Sequence, residues 1–448
     1  MLRILSFIIT MNTISFLTGV SHSQQSADNI LISDEIKQKT VNSVSDLLNS
    51  NYIFPDKAKK MEVYLKNEIE KGAYDGLDDP QKFSDKLTDD LQNVSKDKHI
   101  RVTFNPEQIQ MMKNSQDKNN EEFEKKFIED FKKENFGFKK VEILSGNIGY
   151  IDFRRFGAGD LIKNKVAAVM SFVENCEALI FDMRYNGGGD PTGVQLITSY
   201  LFGDEPVHLN DLYYRPDDTL KEFWTLKYIE GKRMIDVPVF ILTGSYSFSG
   251  AEEFAYNLQI LNRAVIVGET TGGGANPGNG NIVDDNFIIF IPTGRAINPY
   301  TKTNWEGVGV KPDVEINSID ALTKAHILAL EKIAGNNSSE INANKIKRIN
   351  RLIESLTSTL SDPDPSTVQL KKYAGNYGDR KIIYDNGRLF HQRLGREKFE
   401  MSPMSEDTFM LHELDLFRLK FDSDSSGNIV SLSVLFDNGE TETISKIN

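Results

Sequence analysis

From Leu31 to about Val94, apolar residues recur at helical spacing: Ile36, Val41, Val44, Leu47 and Leu48, then Met61, Val63, Leu65 and Ile69, with breaks at Pro55 and Gly72. An apolar stripe of that period is the buried face of a helix, so residues 30–105 are predicted to form a small helical domain. Residues 106–140 are rich in Lys, Glu, Asn and Gln with scattered Met and Phe, and are predicted to be a solvated helix or charged connector. From Val141 the period changes. GNIGYIDFRRF, EALIFDMRY, VPVFILTGS and RAVIVGETT are short apolar runs, with helical stretches such as Lys163 to Asn175 and Ala251 to Leu261 between some of them. Strands alternating with helices predict βαβ units and a largely parallel sheet over 141–335, with Ile282 to Pro292 as a further strand or hairpin. Residues 336–366 read as a linker helix between polar, turn-rich flanks. Residues 367–448 alternate in short stretches punctuated by Asn-Gly and Ser-Gly, the pattern of a small antiparallel β domain.

The first 25 residues add an address. One Arg, an apolar run from Ile4 to Val20 and then Ser21-His22-Ser23 predict a signal peptide over 1–23, hence export to a periplasm or the cell exterior without stable membrane insertion after cleavage. The single cysteine, Cys176, lies in the apolar-flanked FVENCEALIFD, where a buried inert thiol is expected; one cysteine makes neither an intramolecular disulfide nor a Cys-rich metal site. A formal charge of −13 argues against a nucleic-acid partner. His208, His326, His391 and His412 are scattered and no H-E-x-x-H occurs, so no metal is expected. Neither G-x-G-x-x-G nor GK[ST] occurs, which argues against a phosphate-bearing cofactor.

The chemistry centres on FILTGSYSFSGAEEFAYNLQ, Phe240 to Gln259, where a short strand passes through small residues into a helix at Ser249. Ser249-Gly-Ala-Glu252 fits a capping box, and Glu252 and Glu253 suit the positive end of a helix dipole. The same geometry lifts a serine out of the fold beside backbone amides able to hold an oxyanion. With Ser247 and Ala251 in the glycine positions of G-x-S-x-G, an α/β-hydrolase elbow is not supported.

Two further blocks keep Ser249 company: Phe181-Asp-Met-Arg-Tyr-Asn-Gly-Gly-Gly-Asp190, a strand end followed by glycines, and VIVGETTGGGANPGNG, which TGRAINPYTKTNWEGVGVKPDV follows. With these blocks in this order, residues Leu31 to Leu330 resemble the tail-specific (carboxyl-end processing) protease superfamily. The similarity is to the branch without a PDZ domain that includes the tricorn protease core and interphotoreceptor retinoid-binding protein. The resemblance implies a crotonase-like α/β core and an exported serine peptidase that needs no cofactor and acts on peptide or unfolded protein. It makes Ser249 the nucleophile, His99 in KDKHIRVTF the general base, and Glu306 in NWEGVGVKPDV the acidic member of the set. Gly250 and Gly188 would supply the oxyanion amides. Gly187 and an Asp182–Arg184 pair would support that turn, and Asp190 reads as a helix cap before Pro191. In the tricorn type a serine directly precedes the histidine, whereas Lys98 stands here. Either Glu306 reaches His99 through another hydroxyl or a water, or Asp97 or another group orients it. The PDZ-bearing branch uses a lysine about two dozen residues after the serine, but TTGGGANPG carries none, which leaves His99 as the base. A binding module without catalysis and an esterase are the rival readings on the same fold. The C-terminal β domain is expected either to gate substrate or to serve as a stability cap.

Overall fold

The computed structural model describes residues 31–116, 120–336, 343–361, 365–411, 414–436 and 440–447; the predicted leader lies outside them. Three helices come first, α1 (Asp34–Asn51), α2 (Pro55–Glu70) and α3 (Pro80–Ser95), before strand β1 (Arg101–Phe104). Each begins where its chemistry dictates: the Ser33 hydroxyl accepts from the Ile36 amide, Pro55 takes the first turn of α2, and Asp79 caps α3 ahead of Pro80. Their buried faces, including Val41, Val44, Leu48, Met61, Leu65 and Leu87, close over Phe287, Ile289 and Ile291 of a strand nearly two hundred residues later.

The stretch 106–140 is more than a connector. Helix α4 (Pro106–Gln116) places Ile109 and Met112 against Ile288, and α5 (Asn120–Lys133) ends with Phe131 buried in the main core. The scattered apolar residues of this polar stretch are the ones that pack.

The α/β part then runs β2 (Phe138–Leu144), β3 (Ile148–Phe153), α6 (Gly159–Val173), β4 (Ala178–Asp182), α7 (Pro191–Ser199), β5 (His208–Tyr214), β6 (Thr219–Trp224), β7 (Val239–Thr243), α8 (Gly250–Ile260), β8 (Val265–Gly268), β9 (Gly278–Ile282), β10 (Phe287–Pro292), β11 (Gly294–Ile297) and β12 (Val314–Glu315). Six strands form one sheet in the order β12-β8-β7-β4-β3-β2, with the pairs β4–β7, β7–β8 and β8–β12 parallel. Strands β4 and β7 are buried along their whole length, as strands covered on both faces are, and so read as continuous apolar runs in the sequence. Two three-stranded sheets flank it, β1-β10-β9 and β11-β5-β6. The Ile282 to Pro292 stretch belongs to the β9–β10 antiparallel hairpin. Cys176 is buried in the core, and burial pushes its thiol pKa up, as an inert packing residue requires.

The chain divides into two compact units, the first holding residues up to 142 and 149–318, the second 143–148 and 319–448. In the second, α9 (Ala321–Asn336), α10 (Ala343–Ser361) and α11 (Thr367–Tyr373) accompany eight strands, β13 (Gly375–Tyr377), β14 (Arg380–Asp385), β15 (Arg388–Arg393), β16 (Lys398–Pro403), β17 (Thr408–Leu411), β18 (Leu414–Ser423), β19 (Ile429–Phe436) and β20 (Thr441–Ile447). They close into an antiparallel barrel when β20 pairs with β13, which removes the free sheet edges. The Asn386-Gly387 turn between β14 and β15 has φ 47° and 85°, the left-handed pair that a two-residue hairpin requires. Tyr373 stacks on Phe421 at 4.3 Å inside this unit's own apolar core.

Helix α8 is held in the core by Phe254, which is fully buried and meets Phe181 at 5.3 Å and Phe156 at 5.7 Å. Phe254→Ala is expected to lower the unfolding free energy by about 3–5 kcal/mol, measured by urea denaturation, because the rigid strands around it cannot collapse into the space.

Candidate active site

Strand β7 delivers the chain into a turn that many restraints hold. The Ser247 hydroxyl donates to the Met183 carbonyl (2.7 Å) and accepts from the Gly244 amide (3.0 Å); the Phe248 amide donates to the Asn186 carbonyl (3.1 Å). Ser249 emerges with φ 54° and ψ −119°. The capping-box residues are in place, with the Ser249 amide donating to Glu252 Oε2 at 2.8 Å. The backbone, however, is not that of an ordinary cap, which is extended. A residue with a Cβ held in this region costs about 1–3 kcal/mol, and the surrounding hydrogen bonds over-determine it. The sharp strand-to-helix turn thus exists without the flanking glycines of an α/β-hydrolase elbow.

Glu252 does more than cap. Its carboxylate, fully buried, accepts from the Ser249 amide and the Gly274 amide on Oε2, both at 2.8 Å, and from the Gly273 amide (2.7 Å) and Thr271 hydroxyl (2.5 Å) on Oε1. Burial pushes its pKa up, and the Thr271 hydroxyl and the three amides pull against that rise. One side chain therefore fastens the Ser249 turn to the 271–274 loop.

His99, just ahead of β1, stands against that loop at Gly274. Its ring lies 4.5 Å from that of Phe248 and 6.0 Å from that of Phe290, and both ring nitrogens are buried without a hydrogen-bond partner. No hydrogen bond joins His99 to Ser249, although both line one cleft of about 1150 Å³. Asp97, almost wholly buried, is the group beside the imidazole: its Oδ1 accepts the His99 amide (3.0 Å) and lies 3.7 Å from Nδ1. Its Oδ2 accepts from Tyr52 Oη (3.1 Å) and Asn276 Nδ2 (2.9 Å). Burial works against the Asp97 charge, yet His99 and Asn276 hold its carboxyl below the usual range. Lys98 turns elsewhere, its Nζ donating to the Gly272 carbonyl at 2.7 Å.

Glu306 joins this group. Its Oε2 accepts the Ala275 amide at 2.6 Å, while Oε1 is buried without a partner. Burial, and then the charge of Asp97, push its carboxyl up to about 7. Asp97, His99 and Glu306 each offer one ligand atom, all within 4.8 Å of one another. Asp97 already spends its oxygens on Tyr52, Asn276 and the His99 amide.

The glycine turn corrects one expectation. The Gly188 amide donates to Asn186 Oδ1 at 2.8 Å, so it is engaged inside the protein and is not free for an oxyanion. No hydrogen bond engages the amides of Gly189 or Gly250 among the described residues. The junction is too tight for side chains: a Cβ on Gly188 would lie 2.6 Å from the Gly250 nitrogen, and one on Gly250 3.1 Å from the Gly189 nitrogen. Below the turn, Arg184 forks onto Asp182 at 2.9 and 2.7 Å, and Tyr150 Oη donates to the same carboxylate at 2.7 Å. Gly187 lines the cleft, and Asp190 caps α7 by accepting from the Thr192 amide. Asn276 and Tyr52 escape sequence reasoning because their contacts with Asp97 cross long chain separations, 179 residues between Asp97 and Asn276 and 45 between Asp97 and Tyr52.

Comparison with known proteins places the chain among peptidases. Residues 147–316 match the sequence profile of peptidase family S41, and residues 24–134 that of the N-terminal domain of this family in eukaryotic IRBP. A tail-specific protease of Haemophilus influenzae is 30% identical over 159 residues, a stretch covering 34% of this chain and only 20% of that relative. Among solved structures, a lipoprotein from Streptococcus agalactiae aligns over 66% of this chain and 96% of its own, at 14% identity and a TM-score of 0.43. The photosystem II D1 C-terminal processing protease aligns over 64% and 94%, at 12% identity and a TM-score of 0.40. With the N-terminal and peptidase profiles laid in succession over more than half of its length, the chain belongs to peptidase family S41.

Proposed function

We infer that the protein is an exported serine peptidase that cleaves peptide bonds through Ser249 and His99. The observation that carries this reading is the strained backbone of Ser249, held at the mouth of a cleft that also contains an otherwise unpartnered histidine. Such strain persists where surrounding structure enforces it, and it clusters at reacting groups. His99 takes the Ser249 proton as the hydroxyl attacks the carbonyl, then returns it to the leaving amine. Asp97 beside Nδ1 steadies the imidazolium, the orienting task left open between it and a Glu306 relay. Glu306, adjacent and titrating near neutrality, tunes the charge around that pair. The Gly250 amide and that of Gly189, in place of Gly188, hold the oxyanion. Catalytic hydrogen bonds commonly tighten only with substrate bound, so the open Ser249–His99 arrangement is compatible with this mechanism. Export rests on the residue pattern of 1–23.

One observation favours a second reading. A roomy cleft in which the serine and histidine do not touch also suits a binding module that has lost catalysis.

Labelling with a fluorophosphonate separates the two. Wild type is expected to form an adduct on Ser249 and Ser249→Ala none, with His99→Ala slowed by about 10²-fold or more. A folded wild type that stays unlabelled refutes the peptidase reading. Glu252→Gln faces amide donors with a second donor, and is expected to cost about 1–3 kcal/mol of stability and to slow labelling at least about tenfold. Glu306 yields a pH test. Its folded pKa of about 7 exceeds the ordinary 4.5, so the native state holds the extra proton between those values and stability falls as pH rises through that window. Glu306→Gln should flatten this decline, by roughly 1–3 kcal/mol, in denaturation curves taken from pH 4.5 to 8.

A further inference from the structure

Asp97, His99 and Glu306 form a group whose polar atoms the protein does not fully satisfy. Both ring nitrogens of His99 and Oε1 of Glu306 are buried without a hydrogen-bond partner, and the His99 side chain is only 9% exposed. One potential ligand atom from each of the three residues lies within 4.8 Å of the other two. Leaving polar atoms buried and unpaired is costly, and three in one place call for a common partner.

The surrounding hydrogen bonds leave each acid an oxygen with capacity to spare. Asp97 Oδ2 takes Tyr52 Oη and Asn276 Nδ2, whereas Oδ1 accepts only the His99 amide and lies 3.7 Å from Nδ1. Glu306 Oε2 accepts the Ala275 amide and holds the carboxylate with Oε1 unspent. Outer bonds of this kind orient carboxylates on a metal ion. Charge argues the same way, because two neighbouring carboxylates repel each other and a divalent cation between them removes the repulsion. The adjoining cation, Lys98, is exposed, with its Nζ on the Gly272 carbonyl. Four-coordinate zinc spaces its ligand atoms about 3.3 Å apart, within reach of these side chains by small rotations. One imidazole with two carboxylates suits that class of ion, while calcium and magnesium ask for six or more oxygens.

We propose that Asp97, His99 and Glu306 bind a divalent transition ion of the zinc class, and that the bound ion silences the peptidase by taking the His99 base out of use. An imidazole that ligates through Nδ1 carries its proton on Nε2 and has no lone pair there for the Ser249 proton; one that ligates through Nε2 spends that lone pair on the metal. The silencing rests on the peptidase reading, whereas the metal site does not.

Calorimetric titration of zinc ion into the full, untagged chain carrying Ser249→Ala tests the site. About one ion per chain is expected, with His99→Ala and Glu306→Gln each weakening binding at least about tenfold and circular dichroism checking the fold. Should one of these variants not fold, the other decides. Magnesium and calcium at equal concentration are expected not to compete. His208, another imidazole beside a carboxylate, meets Asp211 at 2.6 Å, and His208→Ala is expected to leave the affinity unchanged. Absence of zinc binding, or binding untouched by the folded His99 and Glu306 variants, means an adventitious surface ion only and overturns the proposal. Fluorophosphonate labelling of the wild-type chain tests the silencing: zinc is expected to slow it at least about tenfold and a chelator to restore it. Labelling that proceeds unchanged with zinc bound overturns the silencing. A chain that fails to label without zinc refutes the peptidase reading instead, and the titration still judges the metal site.

Discussion

The buried carboxylate of Glu252 is the constraint on which the site depends. It gathers the amides of Ser249, Gly273 and Gly274 and the hydroxyl of Thr271, and thereby ties the start of α8 to the loop that follows β8. A carboxylate in the core is tolerable only when its lone pairs are filled, and here four donors fill them. The loop it fixes runs on to Asn276, which bonds Asp97, and to Ala275, whose amide meets Glu306. Serine, histidine and acid are thus held by one connected network, though they come from three distant stretches of chain.

The electrostatics of that network divide into two regions. Around His99, Asp97 keeps its charge because Tyr52, Asn276 and the His99 amide stabilise it, and Glu306 is driven towards protonation by burial and by Asp97 itself. Two acids so close cannot both ionise freely, and the one with more hydrogen bonds retains the charge. Further along the cleft the sign reverses, with Arg155 set against the rings of Phe127 and Phe131 and its buried Nη2 without a hydrogen bond, Glu134 being the acid whose charge acts on it.

Much of the architecture was legible along the chain because local rules decided it. Helical periodicity located α1 to α3, the continuous apolar runs located β4, β7 and β8, and the Asn386-Gly387 turn marked a hairpin of the barrel. In the 106–140 stretch the helical character is legible, but the burial of its few apolar residues is not, because their partners, Ile288 among them, lie far away in sequence. Ser249, His99 and Glu306 were recognisable by motif, and the structure brings Ser249 and His99 to one cleft and Glu306 beside His99. The resemblance points to Gly188 for the oxyanion, whereas the side chain of Asn186, two residues before it, claims that amide.

The sequence by itself determined which segments become helices and strands and which residue types stand at the strand-to-helix turn, since periodicity, capping and turn chemistry act within a few residues. It did not determine who orients His99. Asp97 is a neighbour in sequence, but its buried carboxylate also accepts from Tyr52 at the end of α1 and from Asn276 in a distant loop. Nor did it determine that Arg155 would leave Nη2 buried without a hydrogen bond while its neighbour Arg154 found Asp152. Those outcomes are set by burial and by which groups the folded chain places within hydrogen-bond reach, quantities that exist only once distant segments have packed.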